Sequence, residues 1–206
     1  MEFLHAVIVL SNFVIIPAIT YGSQLALGAL GVTLVYGILR FSNFAHGDTM
    51  AFGTMVAILF TWWFQSIGVS IAPLPTALLA LPIAIVLTAL LLLGTDRVVL
   101  RFYRKQKSAP VILLIVSLGI MFVYNGLVRF IIGVGDQRFS DGSRFIISAR
   151  DFKKLTGLDE GLAIKTTQVI TVITAVIVVA LLFWFLNRTR TGKSMTAFSD
   201  NEDLAL

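Results

Sequence analysis

Charge is distributed along this chain in clusters separated by long gaps, and the longest gap constrains everything else. No Lys, Arg, Asp or Glu occurs from residue 49 to residue 95. A helix crosses the hydrocarbon core of a bilayer, ~30 Å thick, with about 20 residues. The gap is therefore too long for one span and suits two, and turn formers gather between them at Gln65-Ser66-Ile67-Gly68 and Pro73-Leu74-Pro75. Residues 3–39 are equally free of charge, with a break expected around Pro17 and Tyr21-Gly22-Ser23, and 110–128 and 166–187 are two further uncharged stretches of span length.

The expected fold is an all-α polytopic membrane protein with six transmembrane helices, at about 3–20, 22–39, 49–65, 75–94, 110–130 and 166–187. The last is the strongest: thirteen of residues 167–186 are Leu, Ile, Val or Phe, which favours insertion by at most roughly 4 to 8 kcal/mol. The first is short and holds His5, Ser11 and Asn12. A signal peptide is the competing reading there, but Glu2 replaces the positive n-region and no A-x-A site follows.

Composition agrees. The chain is 57% hydrophobic and 13% charged, about half the charge that a soluble surface carries. It has no cysteine, which excludes a disulfide scaffold and a thiolate metal centre. The net charge of +5 would suit a nucleic-acid binder only as a basic face on a soluble fold, so no nucleic-acid partner is expected and the cations are assigned to cytoplasmic loops.

Orientation follows from those loops. Residues 97–107 hold Arg97, Arg101, Arg104, Lys105 and Lys107 without an acid, and short loops of that kind stay in the cytoplasm. Alternating outward through six spans places both ends of the chain inside. Arg40 and the trio Arg188, Arg190 and Lys193 then fall inside as well, and the loop 131–165 falls outside, mixed in charge. Ser108-Ala109-Pro110 reads as a helix start at the inner face, with Trp62, Trp63 and Tyr21 as anchors at the outer one.

Small-xxx-small pairs at Gly22/Ala26, Gly47/Ala51 and Gly53/Ala57 allow close helix approach in lipid. Asn12, Gln24 and Asn125 are amides within spans, each either an interhelical hydrogen bond or a ligand on a substrate path. In the connection between spans two and three, Asp48 stands where the next helix begins and can cap its free N–H groups. His46 with Asp48 could instead form a proton relay or half a metal site, although two residues complete no metal shell, so no metal and no cofactor is expected. Asn43, His46, Asp48 and Asn125 are thus the candidate substrate-path residues. Gly47 is read as permitting a tight turn or close helix approach, with Gly28 and Gly31 in the preceding glycine-rich span assigned to the same backbone role.

Thr191-Gly192-Lys193-Ser194 ends like a phosphate-binding loop, G-x-x-x-x-G-K-[ST], but Asn187 stands where the first glycine belongs and a span, not a strand, precedes it. No catalytic residue is assigned anywhere. After the last span, 188–206 is a polar cytoplasmic segment. Ser199-Asp200-Asn201-Glu202 has capping-box spacing, so a helix is expected to start at Ser199, and a chain that stops within its first turns is expected to be part of a longer one. Met195 and Phe198, three apart, form a small apolar face, either lying on lipid or its own bundle or docking a soluble subunit.

The run Leu27-Gly28-Ala29-Leu30-Gly31-Val32-Thr33-Leu34-Val35-Tyr36-Gly37, followed by Asn43-Phe44-Ala45-His46-Gly47, resembles the amino-terminal part of permeases from branched-chain amino-acid ABC transporters of the leucine/isoleucine/valine type. Arg190-Thr191-Gly192-Lys193-Ser194-Met195 and Ala197 are similar to that family's cytoplasmic loop, departing from it at Thr196, where Arg is expected. The resemblance implies a permease domain over 1–187, part of a longer permease bundle. It implies an ATPase-docking segment over 188–206 that uses Gly192, Met195, Ala197 and Phe198. It also implies the bacterial inner membrane and three kinds of partner: a second homologous permease subunit, two cytoplasmic ATPase subunits and an extracytoplasmic substrate-binding protein. The chain would then be a transport subunit and no enzyme. Urea, short amides and other small polar solutes are alternative cargoes within the family. An ion-coupled secondary transporter would need acids inside the spans, and none lies at 49–95 or 97–135.

Overall fold

The computed structural model describes residues 2–39, 41–69, 75–135, 137, 145–156 and 161–200. The chain forms two compact units, Met1–Leu34 with Gly142–Leu206, and Val35–Asp141. Among the described residues, four helical stretches are long and apolar enough to cross a membrane: His5–Ile38, Ala77–Lys105, Pro110–Ile132 and Thr166–Arg188.

The chain starts with α1 (Glu2–Leu10), runs through a π-helical turn (Ser11–Ile15) and continues without interruption as α2 (Ile16–Leu39). The break expected near residue 21 is therefore absent, and the first two expected spans are one helix. Pro17 has no N–H to offer and its ring presses on the preceding turn. The π turn ahead of it relieves this by widening the helix, with the Ile16 N–H reaching five residues back to the Ser11 carbonyl. Ser23, expected to mark a turn, donates its hydroxyl to the Ile19 carbonyl at 2.7 Å and stays within the helix.

In the same unit, residues expected only as loop contain structure. Strand β1 (Phe145–Ile147) pairs antiparallel with β2 (Ile164–Lys165), and α7 (Ala149–Thr156) lies between them in sequence. The Ser148 hydroxyl donates to the Asp151 carboxylate at 2.7 Å and accepts the Asp151 N–H at 3.2 Å, capping α7. Gly161 is buried against Ala149, where a Cβ would stand 2.7 Å from the alanine Cβ. The Asn12 side chain holds this return segment from both sides: its amide donates to the Gly161 carbonyl at 2.7 Å and its oxygen accepts the Ala163 N–H at 3.0 Å. Helix α8 (Thr166–Arg188) follows β2 directly, and α9 (Arg190–Asp200) follows α8 after one residue.

The second unit is built on α3 (His46–Ser66), α4 (Ala77–Thr95), a π-helical turn (Asp96–Leu100) that carries α4 on into α5 (Arg101–Lys105), and α6 (Pro110–Ile132). Helix α3 packs against both α4 and α6. Its 21 residues span about 32 Å, but Asp48, its threonines and Gln65 make it less apolar than the four long stretches, and it buries Thr49, Met55, Val56, Ile58 and Thr61. Gly53 supplies the close approach to α4: a Cβ there would lie 3.1 Å from the Thr88 hydroxyl.

Helix ends in this unit follow local rules. Gly68, at φ +78°, closes α3, its N–H on the Gln65 carbonyl at 3.1 Å and the Val69 N–H on the Phe64 carbonyl at 3.0 Å. Lys107 closes α5 the same way at φ +51°, with its N–H on the Arg104 carbonyl and the Ser108 N–H on the Tyr103 carbonyl. Pro110 opens α6 at its first position, where a missing N–H costs nothing.

Asn12 gives this fold a direct test. Replacing it with Ala leaves the Gly161 carbonyl and the Ala163 N–H without their partner, a loss of about 1 kcal/mol or more. Hydrogen exchange in Asn12→Ala should therefore be roughly 5-fold faster at Ala163, with exchange in α8 unchanged. Unaltered protection at Ala163 would contradict this role of Asn12.

Candidate functional site

The turn from α2 into α3 is the part of the second unit where side chains from separated elements converge. Asn43 shapes it: its side-chain oxygen accepts the Ala45 N–H at 3.1 Å, and its carbonyl accepts the His46 N–H at 3.3 Å. This local bond from an Asn to the backbone two residues on is what favours the residue in turns. Ser117 of α6 is fully buried beneath the turn, donating to the Leu114 carbonyl at 2.7 Å and accepting the Phe44 N–H at 3.2 Å. Ala45 is buried with Ile120 and Tyr124 of α6, and Leu91, Val99, Leu100, Val116 and Met121 close around them. The Tyr124 and Thr95 hydroxyls bond to each other, joining α6 to α4.

Asp48 does not cap α3. The helix begins at His46 behind Ala45, with no side-chain cap, because the Asn43 turn starts it two residues before the carboxylate. Asp48 instead accepts a hydrogen bond from the Asn125 amide of α6 at 2.9 Å, both residues being half-buried. The structure thus joins two of the four substrate-path candidates directly. A carboxylate in the first turn of a helix also meets the positive end of its dipole. His46 is half-buried in that same turn, and no cluster of three or more metal-ligating side chains exists among the described residues.

Asn43 and Thr49 line a cavity with Ala45, Thr95, Tyr124, Leu92, Leu100 and Ile120; its volume is about 20 Å³. That holds one water molecule and cannot admit an amino acid, so this turn is a tightly packed joint between α3, α4 and α6 and no open binding chamber.

The glycines divide. Gly47 is exposed in the first turn of α3 and a Cβ there would meet nothing within 4 Å, so the close approach expected of it falls to Gly53, which faces Thr88. Gly28 and Gly31 are half-buried in α2. Of the other amides, Asn12 bonds a return segment of its own unit and Gln24 is exposed on α2.

In the segment after α8, α9 starts at Arg190 and already includes Ser199. The helix start expected at Ser199 is therefore corrected to Arg190. Thr189 provides the cap, its hydroxyl accepting the Gly192 N–H at 3.0 Å. Glu202 and the other residues of 201–206 lie outside the described residues, as does the Phe198 side chain. Gly192 is buried, with room for no side chain beside Phe185 and Leu186; Met195 is half-buried and Ala197 exposed. Thr191-Gly192-Lys193-Ser194 forms the first turns of a helix that follows another helix.

Sequence reading missed Ser117, Thr95, Tyr124 and Thr189. Ser117 stands as a lone hydroxyl between the apolar runs Val111–Val116 and Leu118–Met121, which is a usable signal. Thr189 precedes Gly192 by the spacing at which a cap hydroxyl meets an N–H.

Comparison with known proteins places these elements. A family model described as branched-chain amino acid transport system / permease component matches residues 14–206. The permease protein LivH of a high-affinity branched-chain amino acid transport system in Salmonella typhimurium is 26% identical over 91% of this chain and 58% of its own length. BraD of Pseudomonas aeruginosa, a permease protein with the same description, is 33% identical over 42% of this chain and 28% of its own. The chain thus spans little more than half the length of this LivH relative. No solved structure matches it. With the model match covering residues 14–206, the chain belongs to the branched-chain amino acid transport system permease component family.

Proposed function

We propose that the chain acts as a membrane permease subunit of a binding-protein-dependent ABC importer that moves branched-chain amino acids across the bacterial inner membrane. The observation that carries this reading is the family match over residues 14–206, supported by four helices of membrane-crossing length and apolarity. In this reading the chain works with a second homologous permease, two cytoplasmic ATPases and an extracytoplasmic binding protein. Energy enters from outside the chain, through the α9 segment with Gly192, Met195, Ala197 and Phe198. Proteoliposomes holding the assembled complex should take up labelled leucine only with ATP inside and binding protein outside. Uptake without ATP, or of urea in place of leucine, would overturn the assignment.

The topology we propose has five crossings: His5–Ile38, α3, α4, α6 and α8. The first has 34 residues, about 51 Å of helix, which accommodates to the bilayer by tilting or by extending beyond it. With the five cations of 97–107 in the cytoplasm, α9 is cytoplasmic and the amino end lies outside. Six crossings would have put the amino end inside. The chain has no cysteine, so Phe3→Cys and Ser108→Cys each give a single label site. An impermeant maleimide added to intact cells should label Phe3→Cys and spare Ser108→Cys. A protected Phe3→Cys restores six crossings, and labelling of Ser108→Cys inverts the orientation.

The Asp48–Asn125 bond is assigned to fixing α3 against α6 beside the transport path. Asp48→Asn keeps an oxygen for the Asn125 amide and should retain most uptake. Asn125→Leu leaves the half-buried carboxylate unpartnered at a cost of about 1–3 kcal/mol, and should lower both thermal stability and uptake. Loss of uptake in Asp48→Asn with the complex still assembled would transfer Asp48 from scaffold to the transport cycle.

A further inference from the structure

A single extended residue, Thr189 (φ −87°, ψ 150°), separates α8 from α9. One free residue between two helices is ordinarily a swivel, yet here every polar group of Thr189 is engaged. Its N–H donates to the Phe185 carbonyl at 3.1 Å, and its carbonyl accepts the Lys193 N–H at 3.0 Å. Its hydroxyl donates to that same Phe185 carbonyl at 2.7 Å and accepts the Gly192 N–H at 3.0 Å. The end of one helix and the start of the next therefore share one hydroxyl. Gly192 completes the joint. It is buried, and a Cβ there would press on the Phe185 carbonyl and stand 2.6 Å from the Leu186 Cα. Both are backbone atoms, which cannot rotate aside as a side chain would.

We propose that Thr189 and Gly192 are positioning residues that lock α9 to the end of α8, so that a push on α9 from the cytoplasm turns α8 as one body. This rests on reading the chain as a permease subunit driven by a separate ATPase. The seat between the helices is made of backbone and one hydroxyl, so it transmits displacement without a chemical step. A loose joint would let α9 follow the ATPase while α8 stays still, and hydrolysis would continue without transport.

The test uses the assembled transporter in nanodiscs and proteoliposomes, with spin labels on Val178→Cys and Ser194→Cys in the otherwise cysteine-free chain. The unaltered joint should give one narrow label-to-label distance. Thr189→Val keeps the side-chain shape but removes the hydroxyl. It should broaden that distance and cut ATP-driven uptake about 5-fold or more, with the ATPase still copurifying. Thr189→Ser should restore both, and Gly192→Ala should shift the distance. A narrow, unshifted distance in Thr189→Val and Gly192→Ala would overturn the lock, and so would a broadened distance with uptake intact. If the unaltered transporter shows no ATP-driven uptake, the permease reading fails, whereas the distances still decide the joint.

Discussion

Inside a bilayer no water competes for hydrogen bonds, so each polar group must be satisfied by the protein itself. The apolar helices here meet that demand largely one residue at a time. Ser11, Thr20, Ser23, Thr33, Thr54, Thr88 and Thr171 each donate their hydroxyl to the carbonyl four residues back in their own helix. Among the described residues no buried side-chain nitrogen or oxygen lacks a partner. Hydroxyls satisfied in this way hold nothing together between elements. They let a helix carry polar residues through hydrocarbon without committing it to a neighbour.

Bonds that do join separate elements are therefore informative; the Thr95–Tyr124 hydroxyl pair ties α4 to α6, and three others fall at chain reversals. Asn12 holds the return into β2, Ser117 lies under the α2–α3 turn, and Asn125 reaches Asp48 at the start of α3. A reversal exposes backbone groups that a helix would satisfy internally, so a side chain from elsewhere must supply the missing partner. The 43–48 stretch is in this way both polar and tightly packed, with a cavity that has room for a single water.

Long uncharged runs made the helices legible, and Gly68 and Pro110 marked ends that the structure keeps. Local signals failed where the deciding partner is distant or where geometry adapts. Pro17 with Gly22 and Ser23 reads as a break, but a π turn absorbs the proline and lipid offers the freed groups no water to turn toward. Asp48 has the composition of a cap, yet Asn43 had already started the turn, and the amide that takes the carboxylate is 77 positions away in sequence. Ser199 carries a capping box, but Thr189 starts the same helix nine residues before α9 reaches Ser199, counted from Arg190.

Glycine shows the same limit and has the larger structural consequence. Gly47 and Gly53 have identical small-xxx-small spacing, but only Gly53 has a neighbour against it, the Thr88 hydroxyl, because α4 passes on that face of α3. Gly161 against Ala149 and Gly192 against Leu186 were not read as packing glycines from the sequence. In lipid the hydrophobic effect does not draw helices together, so close backbone approach supplies much of what does. A missing Cβ at Gly53, Gly161 and Gly192 thus sets three joints: α3 on α4, the β2 return on α7, and α9 on α8. The first two shape a scaffold within one unit each. The third lies at the end of α8, a helix long and apolar enough to cross a membrane, and under the proposed function it is the point where movement from a separate ATPase enters.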